Sequence, residues 1–419
     1  MSAAGLVSAG RPVDGPNPAR PSGLLDRVRE RLVQDGAEVA GPALRAALAA
    51  EPALIADDAA LAQFGRSLAA DLTGAGPLEP LLRDPWVTDV LVNRADDVWV
   101  DRGQGVEPTA VRFADEAQVR ALAVRLAAAM GRRLDDASPY VDARLPDGSR
   151  LHAILPPLVP STTLCLRSFR RRLVGVADLV AAGAFDADAA ALLKAIVAAR
   201  LAFVISGGTG TGKTTVLAAL LALVAPSERI VVVEDAPELR PDHPHVVPLL
   251  TRTANIEGAG AVGPAELVRQ ALRMRPDRLV VGEFRGADAM ELLAALNTGH
   301  EGAAATIHAN SAAAVPARFE ALGALAGLDR NAVHSQLIAA IEVVLHLRRE
   351  PCGRRMLAEV AVLRRAADGL AVVPVWAAPG ATAGSAAIGS PAAQAARADL
   401  AEALAARGVA VPAVLGAGR

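Results

Sequence analysis

The sequence is almost without lysine. Lys194 and Lys213 are its only two, and every other basic residue among 43 is arginine. A lysine that persists in such a chain marks a place where arginine's planar fork does not serve. Cysteine is scarce as well: Cys165 and Cys352 are far apart and form no CxxC pair. That argues against a zinc module or a disulfide scaffold and for a reducing compartment. Aromatics are only 3 % of a chain that is 52 % apolar, so its cores must be aliphatic and helix-rich. A net charge of −2 carries no polyanion signal, although Arg167, Arg170, Arg171 and Arg172 form a local basic patch. The start has no charged stretch followed by an apolar one, so no signal peptide is expected. No run of about 18 apolar residues is free of charge, so no membrane span is expected.

A chain of 419 residues holds two or three domains. Residues 1–21 carry Gly, Pro and Ser without period and read as a disordered tail. Residues 22–72 have helical spacing, with Leu25, Val28 and Leu32 on one face and Leu61, Phe64, Leu68 and Leu72 on another. From 73 to 170 the pattern is mixed α+β. Val87 to Val92, Val98 to Val100 and Thr163 to Phe169 read as strands and Glu116 to Met130 as a helix. Val141 to Leu145 and Arg150 to Ile154 flank the turn Pro146-Asp147-Gly148, a hairpin signal. Arg170 to Val176 reads as a linker. From 171 to 372 short apolar strands (Leu201 to Ser206, Arg229 to Val233, Arg278 to Val281, Ala303 to Ile307) alternate with helices. Such alternation predicts an α/β fold with a parallel sheet covered on both faces. Residues 373–419 are rich in Ala, Gly and Pro and read as a fraying tail, with a last helix over Ala395 to Ala406.

The strongest motif is Gly207-Gly208-Thr209-Gly210-Thr211-Gly212-Lys213-Thr214, followed by Thr215. It fits G-x-x-x-x-G-K-[ST] and lies between a predicted strand and a predicted helix, the context a phosphate-binding P-loop requires. Glycines let the backbone turn tightly and aim N–H groups at phosphate oxygens, beside the positive end of the helix. Lys213 supplies a compact charge for the β and γ phosphates, and Thr214 a hydroxyl for Mg2+.

Ligands of an open α/β sheet sit beyond the carboxyl ends of its strands. There the sequence places Glu234-Asp235 and Gly282-Glu283. Carboxylates at these positions suit metal coordination and water activation. Plainer roles compete: Glu234 or Asp235 could cap the next segment, and Glu283 could pair with Arg285. His300 and His308 could sense the γ-phosphate or be satisfied structural histidines. Asp242-His243-Pro244-His245 has no further ligands near it and reads as a surface turn.

Taken together these stretches resemble the type II/IV secretion and pilus-assembly ATPase superfamily, most closely its Tad/Flp-pilus branch. The resemblance covers roughly residues 72–365. It rests on the P-loop, on Val233-Glu234-Asp235 with Glu238-Leu239, on Arg275-Pro276-Asp277-Arg278 through Gly282-Glu283-Phe284-Arg285-Gly286, and on Thr298-Gly299-His300-Glu301-Gly302 through Thr306-Ile307-His308-Ala309-Asn310. Gly76-Pro77-Leu78-Glu79-Pro80-Leu81-Leu82 and Val141-Asp142-Ala143-Arg144-Leu145-Pro146-Asp147-Gly148-Ser149-Arg150 match the family's N-terminal phrases. It departs from the pattern at Ser168, where lysine is frequent, and in a short loop over Val159 to Thr163.

The resemblance implies a RecA-like C-terminal ATPase domain and a smaller N-terminal α+β domain, assembled as a hexamer. ATP and Mg2+ would bind between the two domains. Glu283 would position water, Glu234 with Thr214 would support the metal, and Arg144, Arg150 and Arg167 would meet phosphate charge. Exposed arginines of this kind also occur simply as solvated salt bridges. His300 and His308 would link the phosphate state to movement. The implied role is a cytoplasmic motor held peripherally at the inner membrane by a platform protein, powering pilus assembly or secretion without direct nucleic-acid contact. A DNA-transfer ATPase and a nucleotide-binding scaffold with little turnover are the alternatives. A GTPase is disfavoured because no N-K-x-D motif exists.

Overall fold

The computed structural model describes residues 74–84, 86–103, 105–145, 148–167, 174–252, 254, 259–297, 301–366, 369–380 and 388–416. The segments expected over 1–21 and 22–72, the boundaries at 72/73 and 170/171, and His300 lie outside them. In chain order the described elements begin with helix α1 (Glu79–Arg83) and strands β1 (Asp89–Arg94), β2 (Asp97–Asp101) and β3 (Val106–Pro108). Helix α2 (Glu116–Ala129) and strands β4 (Tyr140–Arg144), β5 (Arg150–Ile154) and β6 (Thr163–Arg167) follow. These strands form an antiparallel sheet of order β3-β2-β1-β6-β5-β4. Strand side chains alternate between faces, so Val90, Val92, Leu151, Leu164 and Leu166 point to one side. There they meet Val119, Leu122 and Leu126 of α2 in one core. Asp115 starts α2 by accepting from the Gln118 N–H, an N-cap that satisfies a donor the helix cannot.

The second half runs α3 (Val176–Ala181), α4 (Ala187–Ala198), β7 (Phe203–Gly207), α5 (Lys213–Leu221), β8 (Ile230–Glu234), β9 (Val246–Leu250), α6 (Pro264–Ala271), β10 (Arg278–Val281), α7 (Ala289–Leu296) and β11 (Ala304–Ile307). It closes with α8 (Val315–Leu325), α9 (Arg330–Ala340), β12 (Val343–Arg349), β13 (Arg355–Ala366), β14 (Gly369–Ala377), α10 (Pro391–Ala406) and α11 (Ala413–Gly416). Its sheet has the order β14-β13-β12-β7-β11-β10-β8-β9. Strands β12 through β9 pair in parallel, and β13 and β14 are antiparallel additions. Both faces are covered. Ile205, Ile230 and Val232 pack with Leu192 of α4 and Leu217 of α5, while Val204, Val231 and Val281 pack with Leu293 of α7 and Leu337 of α9. Burial on both sides is why these strands read as unbroken apolar runs.

The chain after residue 373 differs from the expected fraying tail. Val373 lies inside β14, Trp376 is buried, and Ala396, Leu400 and Leu404 of α10 join the core. Small alanines let α10 lie close to the sheet, and Ser390 caps it by accepting from the Ala393 N–H. The linker expected to reach Val176 ends earlier, because Val176 already opens α3.

Candidate functional site

The carboxyl ends of four parallel strands lie side by side, staggered by up to about three residues. Ser206 is in register with Ile307, and Val281 with both Val233 and Ala305. Beyond them, Glu234, Gly282-Glu283 and His308 open onto one crevice, a cavity of about 410 Å³. Its walls carry Thr209, Gly210, Gly212, Lys213, Thr214 and Thr215 from the loop before α5. Glu234, Asp235, Glu283, Arg285 and His308 come from strand ends, and Arg150 and Arg167 from the antiparallel sheet.

The glycines of the loop answer geometric demands. Gly207, Gly210 and Gly212 have φ of 156°, 72° and 92°, a region that side chains with a Cβ rarely adopt. At Gly207 a Cβ would also lie 2.6 Å from the Leu347 carbonyl oxygen and 2.7 Å from Thr211 Oγ1. Helix α5 begins at Lys213, so its free N–H groups face the cavity. Lys213 is buried, and its Nζ donates to the carbonyls of Gly207 and Gly208, each at 3.0 Å. Burial lowers its affinity for a proton, and Glu283 opposes that. Thr211 Oγ1 donates to the Gly208 carbonyl at 2.9 Å.

Glu283 is the most constrained carboxylate here. Its side chain is 15 % exposed; Oε2 is held by Arg285 Nη2, and Oε1 lies 2.7 Å from His308 Nε2. No donor hydrogen-bonds Oε1, which therefore keeps its acceptor capacity. The pairing with Arg285 weighed from the sequence is thus present, at the cavity wall. Burial lowers the His308 pKa; Lys213, Arg285 and Arg318 push the same way against the pull of Glu283. His308 is therefore mostly neutral at pH 7.

Glu234 is 7 % exposed. Burial pushes its pKa up to about 8, against the Leu239 N–H that donates to Oε2 at 3.1 Å; Glu238 adds to the rise and Arg144 opposes it. Oε1 is buried without a partner. A buried carboxylate oxygen without a partner, in the cavity that Thr214 also lines, is what a hard divalent cation fits, since Mg2+ binds one or two such groups and takes the rest from water and phosphate. Among the described residues no three His, Cys, Asp or Glu gather into a metal site of their own.

The arginines form a row. Arg144 pairs in register with Arg150, and Arg150 with Arg167, across β4, β5 and β6. Like charges placed directly opposite each other are unfavourable. Asp142 holds Arg150 in a two-pronged contact, with Nε 2.9 Å from Oδ1. Asp89 sits 4.0 Å from Arg167. Arg144 is not among the cavity-lining residues, whereas Arg150 and Arg167 are.

Sequence reasoning missed Arg355, which lines the cavity from β13. The signal was weak, because no motif surrounds it and β13 itself was not anticipated. Thr88 is a further lining residue that carried no sequence signal of its own, while Arg285 and Thr306, which also line the cavity, lay within the quoted motifs.

A P-loop at the head of a helix, on a mostly parallel RecA-like sheet with carboxylates at the neighbouring strand ends, defines a nucleotide-binding protein of the P-loop class. The chain belongs to the type II/IV secretion system protein family, whose model matches residues 71–384. It is similar to a Mycobacterium tuberculosis protein that bears the name of a conjugal transfer protein, with 58 % identity over 330 residues, 77 % of this chain and 94 % of that one. It is 32 % identical over 280 residues to the conjugal transfer protein TrbB of Rhizobium radiobacter, covering 66 % of this chain and 83 % of TrbB. Among solved structures, the pilus retraction motor PilT with bound ADP shares the fold. Its TM-score is 0.50 at 20 % identity, with 68 % of this chain and 82 % of that one covered. No helix among the described residues is long and apolar enough to cross a membrane.

Proposed function

We propose that this protein is an ATP-hydrolysing motor of the Tad/Flp-pilus branch, working as a hexamer on the cytoplasmic face of the inner membrane. It drives pilus assembly or protein secretion through a membrane platform protein that holds it peripherally. The observation that carries the reading is the convergence of the Lys213 loop, Glu234 and Glu283 on a cavity that Arg150 and Arg167 also line.

Lys213 leaves its two loop carbonyls for the β and γ phosphates, while the N–H groups at the start of α5 take the remaining oxygens. Mg2+ would be held by Thr214 and Glu234 and would supply charge neutralisation for the phosphates. Arg285 tethers one oxygen of Glu283, which leaves acceptor positions on the carboxylate to orient a water. The water oxygen bonds to the γ-phosphorus as the bond to the bridging oxygen of ADP breaks, and its proton passes to Glu283 or solvent. Neutral His308, 2.7 Å from Glu283, and His300 report the change to the rest of the chain. Arg150 and Arg167 neutralise γ-phosphate charge from the other sheet. Losing that charge on hydrolysis loosens the two sheets and gives the stroke.

Steady-state phosphate release from ATP, with molecular mass recorded in the same samples, tests this. Mg2+-dependent turnover by a ring-sized species is expected, reduced about 100-fold or more in Glu283→Gln while ATP binding persists. Equal rates in both proteins would remove Glu283 from its role. Binding without turnover in either would favour a nucleotide-binding scaffold. The names of the relatives favour a second reading, a DNA-transfer ATPase, and stimulation of turnover by single-stranded DNA would select it.

A further inference from the structure

We infer that Arg355 is a positioning residue that anchors the rim of the phosphate loop and ties it to the antiparallel sheet, so that this sheet feels nucleotide occupancy through one side chain. The inference rests on reading the cavity as a nucleotide site.

Strands β12 and β13 form a hairpin that runs past the end of β7. Leu347 is in register with Gly207, and Arg349 with Arg355. The hairpin thereby brings Arg355 level with the loop. Its stem lies against Gly212, where an added Cβ would sit 3.6 Å from Arg355 Cδ. Its guanidinium then reaches two carbonyls at once. Nε donates to Gly210 at 2.8 Å, and Nη2 to Gly103 at 3.3 Å. Gly103 belongs to the turn between β2 and β3, which is itself fixed by the Gly103 N–H donating to Asp101 Oδ1 at 2.5 Å.

A loop that turns its N–H groups towards phosphate leaves carbonyls facing elsewhere. Here cations cap three of them: Lys213 takes Gly207 and Gly208, and Arg355 takes Gly210. Phosphate draws Lys213 away from its two. Arg355 lines the same cavity but is held by backbone acceptors on two different segments, Gly210 and Gly103. Arg355 is therefore the anchor that stays, and its second prong carries the loop's state to the β2–β3 turn. A guanidinium's donors are spread over a rigid fork and can reach carbonyls of two separate segments, whereas a lysine's donors radiate from one nitrogen and gather only acceptors that lie close together, as the adjacent Gly207 and Gly208 carbonyls do at Lys213.

The test combines MgADP titration with hydrogen exchange over residues 101–106, on wild type, Arg355→Ala and Arg355→Lys. Melting curves recorded alongside show that each variant is folded. Wild type is expected to bind, with exchange in the turn slowed by nucleotide. Arg355→Ala should bind about tenfold more weakly, the effect of a lost charge-assisted hydrogen bond, and show no slowing at saturation. Arg355→Lys should recover most of the affinity but none of the slowing. Wild-type affinity in Arg355→Ala, or slowing that survives in both variants, would overturn the inference while leaving the nucleotide site intact. A wild type that binds no nucleotide would instead bring down the reading beneath it.

Discussion

His346 gives a prediction whose size can be worked from the structure. It lies on β12, in register with Ser206, 8 % exposed, with Nδ1 2.9 Å from Ser206 Oγ. Burial lowers its pKa to about 4, and Arg348 and Lys213 push in the same direction. An unfolded histidine has a pKa of about 6.5. The folded state therefore binds fewer protons between these values, and stability falls as the pH drops from about 6.5 towards 4. Linkage makes the loss about 2 kcal/mol at pH 5 and nearly nothing at pH 7.5. The perturbation is His346→Gln, which keeps a polar group near Ser206 and cannot charge. Urea unfolding of both proteins at pH 7.5 and pH 5.0 isolates the effect, because other titrating groups are common to the pair. The stability difference should move by about 2 kcal/mol in the variant's favour at pH 5. A difference that stays constant with pH would refute the argument and mean that His346 titrates alike in both states.

Two further substitutions test the frame around the site. Arg278 is 2 % exposed and pairs with Glu228 at 2.7 Å; against the upward push of burial, Arg278 and Arg200 hold the Glu228 pKa down. Arg278→Ala leaves that carboxylate to Arg200 alone, at 3.3 Å, and should cost about 2–3 kcal/mol in chemical denaturation, and a loss below about 1 kcal/mol would show that Arg200 and water hold Glu228 without it. At Gly282, an added Cβ would sit 2.8 Å from the Cβ of Glu234. Gly282→Asp should therefore lower thermal stability by about 1–3 kcal/mol and displace Glu234. Unchanged melting would show that β8 and β10 can part.

The parts legible in sequence were those with a short-range cause. The P-loop was readable because positive-φ glycines, one lysine and a strand–helix context sit within a few residues. The alternation that makes the α/β sheet was readable because burial on both faces removes polar residues from β7, β8, β10 and β11. Strands β12 to β14 were not, because their meaning is a partner: β12 joins β7 across more than a hundred residues, and Arg355 acquires its neighbours only through that pairing. The last helix was half visible, since Ala395 to Ala406 shows its period but not the sheet that buries Leu400 and Leu404. The arginine row was visible as residues, whereas their alignment across β4, β5 and β6 depends on register, which sequence spacing alone leaves open.

Gly282 shows why the carboxylate of this crevice stands where it does. An acidic residue directly after the β10 strand is usual in such sites, and here the position has no side chain. Strand β10 lies beside β8, and the Gly282 N–H donates to the Val233 carbonyl at 2.8 Å. That close approach leaves the space around Gly282 to Glu234, whose own side chain bends back to the Leu239 N–H. Two carboxylates at that level would share a desolvated volume that already holds one of them near a pKa of about 8, and the second would face both a clash and an uncompensated charge. Moving the second carboxylate one residue on, to Glu283, places it on the far side of the strand end. There Arg285 and His308 can reach it. The separate roles proposed for Glu234 and Glu283 then rest on the spacing of two β-strands.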